Sequence, residues 1–308
     1  MAGKAYVDRM LTDVAIGYRP WGHINTVVLP EKGVKQQSGK IGVYGGENMR
    51  IVTILKAPEG GTPAVTANIT QADAYNLEDH QLKSMASDKD AQNEEKPFDI
   101  RRDRTELVMD LLSVSREYGL SVFMNDDSNF TNSTTLSGTA QWSGSADDPL
   151  GDLMTAIGTA ADAANVGDDM ISIVMSNEVW RIFVNLSEVK DLLGFKYNQT
   201  RMVTPEQIAQ ALGFKQLLLA RGRYNSAEDG QTDSFSNLWG KHCWAGYLAQ
   251  GSKIKDKPFG YTCRRTAALA VDRWRDEDIR GWWIRCTDEY DQYILSETSM
   301  YMIKDAVA

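Results

Sequence analysis

Residues 57–97 read APEGGTPAVTANITQADAYNLEDHQLKSMASDKDAQNEEKP, and residues 98–126 continue FDIRRDRTELVMDLLSVSREYGLSVFMND. The contrast between these two stretches decides the fold. The first is polar, poor in large apolar side chains and bracketed by Pro58 and Pro97; an excursion of that length inside a compact domain is uncommon and is usually functional. It is expected to protrude. Weak alternation around Val65 to Ile69 suits a two-stranded ribbon, and because a lone ribbon is marginal in water it needs another surface to lie on. The second stretch opens on Asp99, a good N-cap, and then sets Leu107, Leu111, Val114, Tyr118 and Val122 at spacings of 4, 3, 4 and 4. That spacing predicts an amphipathic helix over 100–123.

Upstream, residues 1–38 show no helical period and little to bury, so they read as an extended arm with Val27, Val28 and Leu29 as its apolar contacts. Lys40 to Tyr44 alternates and Arg50 to Leu55 is β-branched and apolar, which predicts two strands joined across the Gly45-Gly46 break. Downstream, 126–146 is a polar boundary. Pro149 opens a helix closed by Asn165 and Gly167, a strand follows at 170–175, and Ser176 caps the next helix. Thr204-Pro205-Glu206 starts another helix, which Gly213 ends before a strand over 214–220. The middle third is therefore a small α/β domain. From Pro258 onward strand signals dominate: Ile284, Cys286, Tyr290, Gln292 and Ile294 share one parity, Asp288 breaks it, and turns fall at 275–281 and 296–298.

The 308 residues are 42% hydrophobic, enough for a core, and the formal charge of −9 argues against a protein whose task is gripping nucleic acid. A wall that weakly repels DNA would still suit a container for it. Cys243, Cys263 and Cys286 have neither disulfide nor zinc spacing and read as reduced thiols. The N-terminus lacks a secretory pattern and no run approaches the roughly 20 apolar residues of a membrane span, so the chain is expected to stay in the cytosol that makes it.

Chemistry is scarce. His23 and His80 fall in the arm and the excursion, and His242 beside Cys243 on a strand would face the opposite side. No G-x-S-x-G elbow and no phosphate loop occurs, and the carboxylate runs Asp147-Asp148, Asp168-Asp169 and Asp276-Glu277-Asp278 read as solvated turns. Catalytic, cofactor and metal assignments are therefore all none. Arg101, Arg102 and Arg104 stand at a helix N-terminus, where cations oppose the dipole and call for acidic compensation from a neighbour or from Asp99, Asp103 and Glu106. Trp239, Trp244, Trp282 and Trp283 read as core or interface anchors.

The order of arm, polar ribbon, long helix, small α/β domain and terminal strands resembles the Hong Kong 97-like fold of tailed-phage major capsid proteins, an α+β fold. TTLSGTAQW with DDPLGDLMTAI, MISIVMSNEVWRIFVNLSEVKDLLGF, TPEQIAQALGFKQLLLARGRYNSAEDG and SNLWGKHCWAGYLA with KPFGYTCRR carry the resemblance along the chain. It implies an N-arm with the first P-domain strands at 1–56, an E-loop at 57–97, a spine helix at 98–126, an A-domain at 127–253 and terminal P-domain strands at 254–308. The implied function is a structural head protein that assembles in the host cytoplasm into pentamers and hexamers around double-stranded DNA. Implied partners are the chain itself, a separate scaffolding protein, a portal protein and, as an option, a decoration protein, with no cofactor and no membrane. Interface positions on this reading are Val27, Val28, Leu29, Tyr75, Leu77, Glu78, Lys83, Arg101, Arg102 and Arg104. The alternatives are an encapsulin-like compartment, another virion protein, and a cytosolic α/β enzyme with residues 57–97 as a polar lid.

Overall fold

The computed structural model describes residues 6–18, 22–44, 48, 50–51, 54, 62, 64–65, 69–92, 99–144, 147–194, 203–228, 230–249, 257–266 and 269–308. Half of the strand expected over 50–55, most of the alternation at 65–69 and the Gly45-Gly46 break lie outside them.

The N-terminal segment is only partly extended. After β1 (Tyr6–Val7), Asp8 accepts hydrogen bonds from the Met10 and Leu11 amides and starts α1 (Arg9–Gly17); α2 (Asn25–Val28) and β2 (Glu31–Val34) follow. The expectation of an arm without helix is corrected by Leu11 and Ala15, four residues apart, which bury one short helix face against Val108, Ile284 and Cys286. Next come β3 (Ser38–Tyr44), β4 (Ile69–Asn76), β5 (Glu78–Ser87) and α3 (Asp88–Gln92). The strand β3 pairs antiparallel with β4, so the ribbon joins residues on either side of 45–68. Nor does the excursion protrude along its whole length, because β5 pairs with a strand of the main sheet. That non-local pairing supplies what the local sequence of β5 lacks.

The long helix α4 (Ile100–Asn125) starts where expected, with the Asp99 carboxylate accepting from the Arg101 amide. Beyond it lie β6 (Asn132–Thr135), α5 (Pro149–Ala164), β7 (Ser172–Ser176), α6 (Asn177–Phe183), α7 (Ser187–Leu192), α8 (Pro205–Leu212) and β8 (Gln216–Ala220). Ser176 caps α6, Thr204 caps α8, and Asn165 and Gly213 take the left-handed conformation that ends a helix, as the sequence indicates; Asp148, read as a solvated turn residue, instead caps α5, and Gln207 completes a capping box with Thr204. A short hairpin, β9 (Arg223–Asn225) with β10 (Phe235–Asn237), precedes β11 (Cys243–Gly246). The chain ends with β12 (Gly260–Arg265), β13 (Ala270–Asp276), β14 (Gly281–Ile294) and β15 (Met300–Lys304).

Two sheets organise these elements. The larger runs β1-β13-β14-β12-β2, with β5 also paired to β14. The smaller runs β6-β15-β11-β7-β8. The terminal strand β15 thus belongs to the smaller sheet, between β6 and β11, and does not stay with β12–β14; pairing with residues 54 to 169 positions earlier leaves no local signal. One face of the smaller sheet packs on α5, α6 and α8 around Trp142, Phe183 and Ile208. Its other face meets the second half of α4 and the α2 segment around Trp239, Trp244, Met124 and Leu29. This second core joins the two sheets and fixes their relation.

Candidate functional site: the assembly surfaces

The chemistry-bearing side chains are engaged in holding the fold. His23 Nδ1 lies 2.7 Å from the Ser113 hydroxyl, His80 stacks on Tyr290, and His242 Nδ1 accepts from the Asp305 amide at 2.9 Å. All three cysteines are buried and free; burial pushes the Cys263 thiol up to about 11, Cys286 up to about 12 and Cys243 further, so none is a ready nucleophile near neutrality. Among the described residues no group of His, Cys, Asp and Glu could hold a metal ion, and no helix is long and apolar enough to cross a membrane.

Several charges form internal ties. Arg264 bridges Asp288 (2.7 Å) on β14 and Glu31 (3.2 Å) on β2, and Glu31 also takes a hydrogen bond from Arg116 of α4 at 3.0 Å. Asp288, the break in the strand parity, therefore sits on the buried face because Arg264 meets it there. Burial pushes Glu31 up, but the guanidiniums of Arg264 and Arg116 outweigh it and hold the carboxyl below its ordinary value. Glu117 is wholly buried. Its Oε1 accepts from Trp239 Nε1 (2.7 Å) and the Ile24 amide (3.2 Å), and its Oε2 from the Asn25 amide (2.9 Å). One carboxylate thus ties α4, the start of α2 and the loop before β11, while burial raises its pKa. Sequence reading missed it: a lone Glu in a helix carries no sign of donors more than 90 residues away.

The expected interface residues divide. Val28 and Leu29 are wholly buried in the joining core and Tyr75 and Leu77 in a cluster with Cys263 and Tyr293, so their apolar surface is used inside the subunit. Val27, Glu78 and Lys83 are exposed, and the Lys83 ammonium lies 4.2 Å from the Trp283 ring centre. Arg102 pairs with Glu106 and Arg101 lies over the Trp282 ring, so the local acids and an aromatic ring meet these two cations; Arg104 is half-buried.

Among the described residues, apolar surface is left uncovered on the ribbon side and on α4. On the ribbon side, Ile51, Ile54, Val65 and Ile69 are exposed. The ribbon is anchored at its base, where the Asn76 amide donates to Asp291 and the Tyr75 ring covers Gly39 on the paired strand. On α4, the predicted stripe is present but faces away from the core: Leu107, Leu111, Tyr118 and Val122 are 42, 50, 49 and 53% exposed. The face turned inward carries Thr105, Val108, Glu117, Leu120, Ser121 and Met124.

Exposed apolar surfaces of this kind are characteristic of interaction sites. No family model matches the chain. Among curated relatives, the major capsid protein of Burkholderia phage BcepMu is 22% identical over 304 residues, covering 96% of this chain and 95% of that protein. The chain resembles phage major capsid proteins. The major capsid protein of Pseudomonas phage JBD67 is 25% identical over 239 residues, covering 77% of this chain and 75% of the relative. Among solved structures, a phage-related protein of Bordetella bronchiseptica superposes with a TM-score of 0.78 at 19% identity over 98% of both chains. The capsid structure of cyanophage P-SCSP1u gives 0.58 at 11% identity, over 94% of this chain and 89% of that one. The mixed helix and sheet fold is that of phage capsid structures.

Proposed function

We propose that this chain is the major shell subunit of a tailed-phage head, with a Hong Kong 97-like fold and no catalytic step of its own. The observation that carries the reading is the likeness to a major capsid protein over 96% of the chain. In this reading the larger sheet with α4 is the P-domain and its spine, the smaller sheet with α5, α6 and α8 is the A-domain facing the ring centre, and the β3–β4 ribbon is the E-loop. The same subunit closes both pentamers and hexamers through heterologous contacts. The ribbon lies across an adjacent subunit, which covers Ile51, Ile54 and Val65, and the N-terminal segment reaches another. Each contact is weak alone, and its repetition around the shell makes the whole stable. The net charge of −9 lets the wall enclose DNA without gripping it. Assembly takes place in the host cytoplasm with a separate scaffolding protein and a portal protein, and the finished shell is the virion capsid and can carry a decoration protein.

The test is confined to the ribbon. Removing 62–94 would take away β5 and with it part of the main sheet. Replacing only 45–68 by a short Gly-Ser link is expected to leave a folded subunit that forms no shells in negative-stain electron micrographs. Full shells from that variant would refute the ribbon's role.

A further inference from the structure

From the open edge of β5 we infer a twofold contact in which β5 pairs antiparallel with β5 of a second copy, with Gln81 on the axis. Among the described residues β5 pairs with β14 alone, along all ten of its residues, and no strand takes its other edge. On such an edge, alternate backbone N–H and C=O groups point outward without a ladder partner and form a template for another strand. Glu78, Asp79, Gln81, Leu82, Lys83 and Met85 are exposed along it. Main-chain hydrogen bonds would supply the affinity of strand addition there, and the side chains would choose the partner and the register.

The charges say which strand fits. Ile284 and Cys286 of β14 face α4 with Val108, so Arg285 and Glu289 point to the other side of the sheet, and there Lys83 stands opposite Arg285 and Asp79 opposite Glu289. Like charges directly opposed in neighbouring strands are unfavourable. Arg285 is held by Asp272 and Glu289 by Arg265, whereas Asp79 and Lys83 have no ion-pair partner among the described residues, the Lys83 ammonium meeting only the Trp274 and Trp283 rings. A lone Lys on an edge ordinarily blunts pairing. Here an aspartate stands four residues before it, and an antiparallel copy of the same strand brings each charge to its opposite. With α4 of both copies on one side of the joined sheet, residues of equal parity stand opposite one another. In that set, only the register with Gln81 against Gln81 sets Asp79 against Lys83, and the twofold repeats the pair. The same register sets Glu78 against Ser84 and His80 against Leu82, so no like charges meet across the axis. The contact is isologous, unlike the heterologous contacts that close a ring. On the ring reading proposed above it would tie a subunit of one ring to a subunit of the next; the pairing itself does not depend on that reading.

The test is a cross-link across the axis in the full chain. Opposed Cβ atoms in an antiparallel pair lie about 4.5–5.5 Å apart, close enough for a disulfide after a small shift. Gln81→Cys should therefore give a covalent dimer under mild oxidation, read on a non-reducing gel, at least about tenfold faster than Leu192→Cys, which places a thiol at an exposed position on α7. The native cysteines are buried and do not compete. In the Gln81→Cys background, Asp79→Lys and Lys83→Asp should each slow the cross-link by about fivefold or more, because each puts like charges together twice. An equal mixture of these two variants restores both opposite-charge pairs and should recover the rate, which also shows that both chains are folded. The inference is overturned if Gln81→Cys cross-links no faster than Leu192→Cys, if either charge reversal leaves the rate unchanged, or if the mixture stays as slow as its components. Rings that form without the cross-link would overturn this contact and leave the ring reading standing; the cross-link without rings would do the reverse.

Discussion

Replacing Glu117 by Gln keeps the side-chain length and removes one acceptor from the point where α4, α2 and the Trp239 loop meet. In the parent, three buried donors converge on the carboxylate. In the variant the amide oxygen can keep Trp239 Nε1 and the Ile24 amide, but the new NH2 then faces the Asn25 amide, donor against donor. One buried unpaired N–H costs about 1–3 kcal/mol, and the two surviving bonds lose their charge assistance. Against this, the burial cost of an ionised carboxyl disappears. A net loss of about 2 kcal/mol is expected, read by urea unfolding at neutral pH with an unchanged slope. Trp239→Phe removes the indole donor, and the double variant should show a coupling of about 1 kcal/mol or more. The pH profile adds a sign. Because burial holds Glu117 above its ordinary value, the folded chain keeps a proton that the unfolded chain has lost. Parental stability therefore falls as pH rises from the ordinary Glu value through the folded one, and Glu117→Gln should flatten that fall. A variant within about 0.5 kcal/mol of the parent, or strictly additive single changes, would refute the role given to this carboxylate.

Glu31 should behave with the opposite sign. Its folded value lies below the ordinary one, so its stabilising effect is present above the ordinary value and lost as pH falls through the folded one. The stability gap between parent and Glu31→Gln should therefore be open at neutral pH and closed in acid; a gap that persists in acid would count against the Arg264 and Arg116 ties. Two glycines give a matched pair for thermal unfolding. A Cβ at Gly158, inside α5, would meet nothing within 4 Å, so Gly158→Ala should stabilise by about 0.5–1 kcal/mol. At Gly260 a Cβ would stand 2.4 Å from the Tyr293 carbonyl oxygen, so Gly260→Ala should destabilise by about 1–3 kcal/mol. Equal midpoints for the two variants would contradict this packing.

What the sequence disclosed follows the range of its signals. Asp99, Ser176, Thr204, Asn165 and Gly213 act within one helical turn, and each does in the structure what its local pattern announces. The helix over 100–123 was equally legible, but periodicity tells which side chains share a face and not what that face meets. The spacing of Leu107 to Val122 gives the shared face, and the structure turns that face to the surface. Strand β5 is invisible locally because its sequence, EDHQLKSMAS, is mostly polar; β14 pairs with it along ten positions some 200 residues away. The return of β15 to the smaller sheet and the buried Glu117 are hidden for the same reason. Val28 and Leu29 are apolar in any reading, and their burial depends on Trp239, Phe259 and Met300, far along the chain. The polar excursion was legible as a stretch longer than a compact domain ordinarily carries.

In the proposed function the chain is completed by its own copies in closed rings. Size-exclusion chromatography of the purified full chain at rising concentration, with negative-stain electron microscopy of each fraction, tests it most directly. The account predicts fivefold and sixfold rings and curved or closed shells built from them. A monodisperse monomer at every concentration, without rings in any fraction, would contradict it.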